Sequence, residues 1–80
     1  MNKENVLIKL NEVFAEVMEL EDLKLEEDHT ADDIEEWDSL SHIQVITEIE
    51  KRFNIRFTTM EIEDFKNVKG MISKILEKKN

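Results

Sequence analysis

The sequence predicts an all-α fold, a bundle of three main helices and one short helix with a long first loop. Apolar residues recur at helical spacing in three separate stretches of the chain. Proline is absent and glycine occurs once, which favours helices over strands joined by tight turns. The 80 residues suffice for one small core, so we expect residues 1–80 to form a single domain.

The first helix is predicted from about Asn2 to Leu20. Seven apolar residues share a stripe of about 140°, as expected for a helix that faces a core. They are Val6, Leu7, Leu10, Val13, Phe14, Val17 and Leu20. Ile8 lies outside this stripe, so we expect its side chain to be exposed.

A long acidic loop is predicted from Glu21 to Trp37, where helical periodicity fails. Its isolated apolar residues should pin it across the bundle; they are Leu23, Leu25, Ile34 and Trp37. The acidic stretch that starts at Asp28 does not fit a calcium loop. It lacks the required glycine, and its twelfth position is Ser39 instead of glutamate. We therefore expect no metal site.

The second helix is predicted from Asp38 to about Phe53. Asp38 suits the N-cap position, because its carboxylate can accept a hydrogen bond from a free amide of the first turn. The apolar residues cover a wide arc, which predicts that this helix is the most buried one. They are Leu40, Ile43, Val45, Ile46, Ile49 and Phe53.

Two further helices complete the predicted bundle. Thr58 and Glu61 fit a capping box that opens a short helix through about Asp64. Asn67 can cap a final helix whose apolar stripe consists of Val68, Met71, Ile72, Ile75 and Leu76. The predicted core comprises Leu10, Phe14, Ile43, Ile46, Ile49, Phe53, Ile72 and Ile75.

The composition narrows the possible functions. A net charge of −9 should repel nucleic acid and anionic lipid, and favours partners with basic surfaces. Without cysteine the chain can form neither a disulfide nor a zinc–thiolate site. No apolar run approaches the roughly 20 residues that span a bilayer, and there is no signal-like apolar segment. We expect a cytoplasmic monomer that does not insert into membranes.

Ser39 is the principal candidate for a functional residue. It lies at the start of the second helix, where free amides and the helix dipole favour an attached anion such as a phosphate. Trp37 is expected to be a buried anchor of the loop. His42 is expected to be a packed or partly exposed histidine. No second catalytic partner is apparent, so a small hydrolase that uses Ser39 and His42 is the less favoured alternative.

The chain resembles the acyl and peptidyl carrier protein family. The residues that carry the resemblance are Asp38-Ser39-Leu40, Ile43, Ile46, Glu48-Ile49-Glu50, Phe53, Ile55, Phe57 and Asn67-Val68. The stretch from Glu36 to Ile43 looks especially like free-standing bacterial carriers encoded beside specialised biosynthetic or surface-polysaccharide enzymes. Through its helix order, the resemblance extends over essentially the whole chain.

The resemblance implies a carrier, not an enzyme. A separate phosphopantetheinyl transferase, with magnesium, would move 4′-phosphopantetheine from coenzyme A to Ser39. The thiol of this arm would carry acyl or aminoacyl groups as thioesters, and loading and transferring enzymes would act on them. The residues expected to dock these partners are Asp38, Leu40, Ile43, Glu48 and Glu50.

Several positions depart from the carriers of fatty acid synthesis. Those carriers typically have glycine shortly before the Asp-Ser pair and acidic residues early in the second helix. In this chain Glu36 or Trp37 occupies the position of that glycine, and Ser41 and Gln44 occupy the positions of those acidic residues. The helix ends with the basic pair Lys51-Arg52. A specialised pathway is therefore expected, such as polyketide, peptide, lipid or surface-polysaccharide synthesis. The alternative is a non-catalytic helical protein-interaction module.

Overall fold

The computed structural model describes residues 2–65 and 67–79, and it contains four α-helices. They are α1 (Lys3–Met18), α2 (Ser39–Phe53), α3 (Thr59–Asp64) and α4 (Val68–Lys79). The predicted fold of three main helices, one short helix and a long first loop is confirmed. No described helix is both long enough and apolar enough to cross a membrane.

The helices begin where side chains can cap them. The Asp38 carboxylate accepts a hydrogen bond from the Ser41 amide, and the Thr58 hydroxyl accepts one from the Glu61 amide. Glu61 in turn accepts from the Thr58 amide, which completes the predicted capping box of α3. The Asn67 side chain accepts from the Gly70 amide at 2.7 Å, as its predicted capping role requires.

The core lies where α1 packs against α2 and α4. Its fully buried residues are Val6, Leu10, Val13, Phe14, Val45, Ile49, Val68, Met71 and Ile75. Ile46, Phe53 and Ile72 are also buried, so all but one of the predicted core residues are confirmed. Ile8 projects away from the core with 54% of its surface exposed, as its position on the helix predicts.

The prediction that Ile43 belongs to the core is wrong. Its side chain is 53% exposed and Leu40 is 70% exposed, although both extend the apolar arc of α2. The neighbouring helix α3 has only six residues and none of them is buried. The residues that the structure describes leave this side of α2 uncovered, so its two apolar residues face an open pocket or solvent.

Residues 20–37 form a loop, here called loop 1, which crosses the bundle and ends at α2. Leu25, Ile34 and Trp37 are buried, and Leu23 packs against the core, so the predicted pinning by apolar residues is confirmed. Backbone hydrogen bonds from Val68 and Lys69 to loop 1 carbonyls attach the loop to the start of α4. Loop 1 thereby fixes the backbone that leads into Asp38 and Ser39.

Candidate functional site

Asp38 and Ser41 form a reciprocal capping box at the start of α2. The Ser41 amide donates to Asp38 Oδ1 at 2.9 Å, and the Asp38 amide donates to Ser41 Oγ at 2.8 Å. The Ser41 hydroxyl also donates to the carbonyl of Glu36 at 2.8 Å, and its side chain is buried. These bonds fix the first turn of the helix on both sides of Ser39.

Ser39 occupies the first helical position and is exposed. Its hydroxyl forms no hydrogen bond with any residue that the structure describes, whereas the hydroxyl of Ser41 is fully engaged. The Ser39 hydroxyl is therefore accessible for reaction and the Ser41 hydroxyl is not, although the two serines are only two residues apart. A modifying enzyme can approach the Ser39 hydroxyl without breaking an internal contact.

The carboxylate of Asp38 remains charged beside Ser39. Its pKa is lowered, chiefly because the Ser41 amide donates to the charged form; partial burial opposes this shift, and the Leu40 amide adds to it. The helix dipole also favours the charged form of this carboxylate, since the N-terminal end of α2 stabilises negative charge. The site consequently presents a fixed negative charge next to a free hydroxyl.

An open pocket of about 630 Å³ adjoins Ser39 between α2, α3 and loop 1. Its apolar lining comes from Trp37, Ile43, Ile62 and Phe65, while Asp32, Asp38 and Glu63 add carboxylates. A flexible group attached to Ser39 can therefore either extend into solvent or lie along an apolar wall.

Trp37 and His42 join the floor of this pocket to the core. The Trp37 ring meets Phe14 edge-on, with ring centroids 5.0 Å apart. Its Nε1–H donates to His42 Nδ1 at 3.0 Å, and His42 Nε2 lies 3.0 Å from the Ile62 carbonyl oxygen. Because an indole N–H can only donate, His42 Nδ1 is the acceptor of this bond, and Nε2 is the nitrogen that donates to the Ile62 carbonyl.

This arrangement agrees with the expectation that His42 is a packed residue. Both ring nitrogens are occupied, so His42 is not placed to take a proton from Ser39. Sequence reasoning missed the bond between Trp37 and His42. The sequence did contain a signal for this bond. The indole N–H of a buried Trp37 needs a hydrogen-bond acceptor, and His42 lies one turn into the helix that follows.

The residues predicted to dock partners fall into two groups. Asp38, Leu40 and Ile43 are exposed around Ser39. Glu48 and Glu50 are half-buried and have internal partners: Arg52 Nε donates to Glu48, and the backbone amide of Phe57 donates to Glu50 at 2.9 Å. The structure therefore brings the first three residues together at the site and uses the two glutamates within the fold.

Comparison with known families identifies the chain. Residues 9–75, which include the Asp38–Ser41 capping box and the pocket, match the family model described as a phosphopantetheine attachment site. The chain belongs to this family. No curated protein matches it.

A solved structure supports the same assignment. The fold is similar to the solution NMR structure of the holo acyl carrier protein from Geobacter metallireducens, with a TM-score of 0.83 and 32% sequence identity. The match covers 90% of this chain and 83% of that chain. The chain is thus an acyl carrier protein, a carrier rather than a catalyst, and its prosthetic group is covalently attached phosphopantetheine.

The site fits such a group. The capped start of α2 offers a free hydroxyl, and the pocket offers an apolar wall beside it. Across residues 2–65 and 67–79, no three histidine, aspartate or glutamate residues are grouped to hold a metal ion.

Proposed function

We propose that Ser39 carries the phosphopantetheine arm and that the chain serves a specialised biosynthetic pathway. The observation that carries the proposal is the contrast at the start of α2: Ser39 is exposed with a free hydroxyl, while Ser41 is buried in the capping box. Asp38, Leu40 and Ile43 surround Ser39 and are proposed to contact the modifying transferase.

Ser39 acts as the nucleophile in its own modification. Its Oγ forms a bond to the β-phosphorus of coenzyme A, and the bond from that phosphorus to the leaving 3′,5′-adenosine bisphosphate breaks. The hydroxyl proton passes to a base of the transferase, which supplies magnesium as well. The resulting phosphodiester lies at the amide end of α2, where the helix dipole stabilises its negative charge.

The thiol of the attached arm holds the cargo as a thioester. This chain contributes the fixed attachment point and the surface that partners recognise. Because the pocket beside Ser39 is open along one side, cargo is within reach of enzymes that dock at α2 and α3.

The pathway proposal rests on the surface of α2. Asp38 next to Ser39 is acidic, but the exposed residues of α2 within about two turns after Ser39 are Leu40, Ile43, Gln44 and Thr47, none of which is acidic. A dedicated acyl- or aminoacyl-loading enzyme should therefore use this carrier better than the general enzymes of fatty acid synthesis do. Polyketide, peptide, lipid and surface-polysaccharide synthesis all employ such loaders. We further propose that the chain acts as a single-domain monomer in the cytoplasm, where coenzyme A is available.

The attachment site can be tested with coenzyme A, magnesium and a broad-specificity phosphopantetheinyl transferase. Intact-mass spectrometry should show one added arm on the wild type and on Ser41→Ala, and none on Ser39→Ala. Circular dichroism should show that Ser39→Ala keeps its helices, since the Ser39 side chain makes no hydrogen bond with residues 2–65 or 67–79. An arm on Ser39→Ala, or on no variant at all, would contradict the proposal.

The pathway is tested separately by loading. Holo protein offered to an ordinary fatty acid synthase should be elongated poorly, while the dedicated loading enzyme of the native host should acylate it efficiently. Efficient elongation by the fatty acid synthase would refute the specialised pathway without affecting the carrier function.

A further inference from the structure

The pocket beside Ser39 is separate from the core. Its lining comes from loop 1, α2, α3 and Phe65, and among the described residues none from α1 or α4 contributes to it. The core lies where those two helices pack together with α2. Trp37 belongs to both regions, because it lines the pocket and its ring meets the fully buried Phe14 edge-on. The indole is 5% exposed and forms the partition between the pocket and the core.

A hydrogen bond holds the indole in this position. Its Nε1–H donates to Nδ1 of His42 at 3.0 Å, and the two rings are stacked with their centroids 6.0 Å apart and their planes 23° apart. Trp37 ends loop 1, whereas His42 is on α2, so the bond fixes the end of the loop against the first turn of the helix. A buried indole N–H without an acceptor is destabilising, so the position of Trp37 depends on His42.

The same histidine attaches the short helix α3. His42 Nε2 lies 3.0 Å from the carbonyl oxygen of Ile62, and within residues 2–65 and 67–79 this is the one hydrogen bond that joins α2 to α3. On its other side α3 is tied to α4 by Glu61, whose carboxylate pairs with Lys74 and Lys78. No residue of α3 is buried. The bond from His42 therefore holds this wall of the pocket toward α2.

These two hydrogen bonds require an uncharged histidine. An imidazole that accepts at Nδ1 and donates at Nε2 carries one proton, whereas the charged ring donates from both nitrogens. With a proton on Nδ1, His42 would face the indole N–H donor to donor, and Trp37 would lose its partner. The charged groups around the pocket are carboxylates, which offset a positive ring. They are Asp32 of loop 1, Asp38 at the start of α2 and Glu63 of α3.

We propose that the hydrogen-bonded chain from Trp37 through His42 to Ile62, here called the brace, closes the inner end of the pocket while His42 is uncharged, and that protonation of His42 opens it. The inference rests on the proposed function, because cargo reaches the pocket on an arm at Ser39. With the brace closed, an apolar cargo lies along the open wall, where partner enzymes can reach it. With the brace open, a long apolar chain can pass Trp37 toward Phe14 and become shielded from water. His42 acts through Trp37 and is a positioning residue.

The rate of thioester cleavage measures where the cargo lies. A broad-specificity phosphopantetheinyl transferase supplied with acetyl- or octanoyl-coenzyme A would place the loaded arm on the protein, and hydroxylamine would then cleave the thioester. Each rate is divided by the rate for the same thioester on free pantetheine, which removes the intrinsic effects of pH and chain length. A cargo that is shielded for roughly four fifths of the time is cleaved about fivefold more slowly.

The rates are compared at two pH values. NMR of the ring nitrogens should show His42 uncharged at one and charged at the other, with helices intact at both by circular dichroism. For the wild type with uncharged His42, the corrected acetyl and octanoyl rates should agree within about twofold. With charged His42, octanoyl cleavage should slow about fivefold while acetyl cleavage does not. His42→Leu, which cannot accept from the indole, should shield the octanoyl group at both pH values.

Two glutamine variants separate the brace from a general effect of acid. Glutamine accepts through its oxygen and donates through its nitrogen at every pH, so His42→Gln should leave the octanoyl group exposed at both pH values. His29→Gln is the matched control and should keep the wild-type change with pH. His29 is the other histidine of the chain; it accepts from the Glu26 amide and does not line the pocket.

The indole N–H of Trp37 reports the brace directly, because it is the only tryptophan. Its exchange with solvent should be slow wherever the octanoyl group is exposed and fast wherever that group is shielded. If the exchange is fast in His42→Gln, this variant should shield the octanoyl group as His42→Leu does.

Several results would overturn the inference. A wild type that shields the octanoyl group while His42 is uncharged, or exposes it while His42 is charged, would do so. So would a change with pH that is lost in His29→Gln, fast indole exchange without shielding in any variant, or helices that unfold before His42 is charged. If His42→Leu does not fold, the two glutamine variants still decide. Failure of the wild type to acquire any arm would instead overturn the proposed function, while indole exchange in the unmodified protein still tests the brace.

Discussion

Replacing Ile46 by alanine should destabilise the protein strongly, whereas the same change at Ile43 should have little effect. The two residues lie three positions apart on α2, but Ile46 is 2% exposed and Ile43 is 53% exposed. A buried isoleucine that becomes alanine typically costs about 2–5 kcal/mol, because transferred apolar surface is lost and a cavity remains. At a half-exposed position the expected change is within about 0.5 kcal/mol.

These magnitudes are large relative to the total stability. A domain of this size has a free energy of unfolding of about 4–12 kcal/mol, from 0.05–0.15 kcal/mol per residue. Each kcal/mol corresponds to about 4–8 °C in Tm for such a small domain, so Ile46→Ala should melt at least about 8 °C below the wild type. Ile43→Ala should melt within a few degrees of it.

The assay is urea unfolding followed by circular dichroism, together with thermal melts. The midpoint for Ile46→Ala should shift to lower urea while the slope stays constant, which would locate the effect in stability and not in the unfolded state. Equal destabilisation by the two variants would refute the assignment of the buried face of α2. A large effect confined to Ile43→Ala would show that α3 covers it in solution.

Three other contacts can be tested by pH-dependent thermal melts, urea unfolding and NMR, respectively. The pKa of Glu61 is lowered to about 2 from 4.5, mainly by the Thr58 amide and then by Lys78. The contribution of Glu61 to stability is therefore complete above pH 4.5 and is lost as the pH falls toward 2. Over that range the Tm of Glu61→Gln, which can still cap α3, should fall less than that of the wild type, and equal losses would contradict this. Ser41→Ala removes the hydroxyl from the capping box of α2 and should reduce the free energy of unfolding by about 1 kcal/mol, as measured in urea. No change would mean that water replaces the hydrogen bonds of the hydroxyl fully. NMR of the ring nitrogens should find the His42 proton on Nε2, and a proton on Nδ1 would exclude the hydrogen bond from the indole.

The architecture was predictable because local signals agreed with one another. Asp38, Thr58 and Asn67 mark helix starts through side chains that can accept from free amides, and apolar stripes mark the buried sides of α1 and α4. Each of these signals depends on residues within one or two turns of each other. The same holds for the position of Ser39 beside a capped start, which was readable from Asp38 and the apolar spacing that follows.

The prediction for Ile43 failed because periodicity shows which side of a helix is apolar but not what covers it. The apolar arc of α2 is wide enough to include both a core side and a side that faces partners or the pocket. Which part is buried depends on the length and placement of α3, and α3 is too short to cover Ile43. An apolar residue in a partner surface therefore looks identical to a core residue in the sequence.

The internal partners of the two glutamates of α2 were also missed. Glu48 and Glu50 have the composition of a docking surface, yet Arg52, four residues from Glu48, and the Phe57 amide, seven residues from Glu50, engage them. Arg52 also contacts Glu16 of α1, which lies far away in the sequence. The attachment of loop 1 to α4 by backbone hydrogen bonds depends on no particular side-chain pattern. Such contacts follow from the packed geometry, which brings distant segments together after the helices have formed.

Peptide-level mass spectrometry of the protein isolated from its native source tests the central claim most directly. The peptide that contains Ser39 should carry phosphopantetheine, and part of that population should carry an additional acyl or aminoacyl mass that hydroxylamine removes, as expected for a thioester. The mass of that cargo would also identify its chemical class. An unmodified Ser39 in all of the isolated protein, or an arm attached to any other residue, would contradict the account.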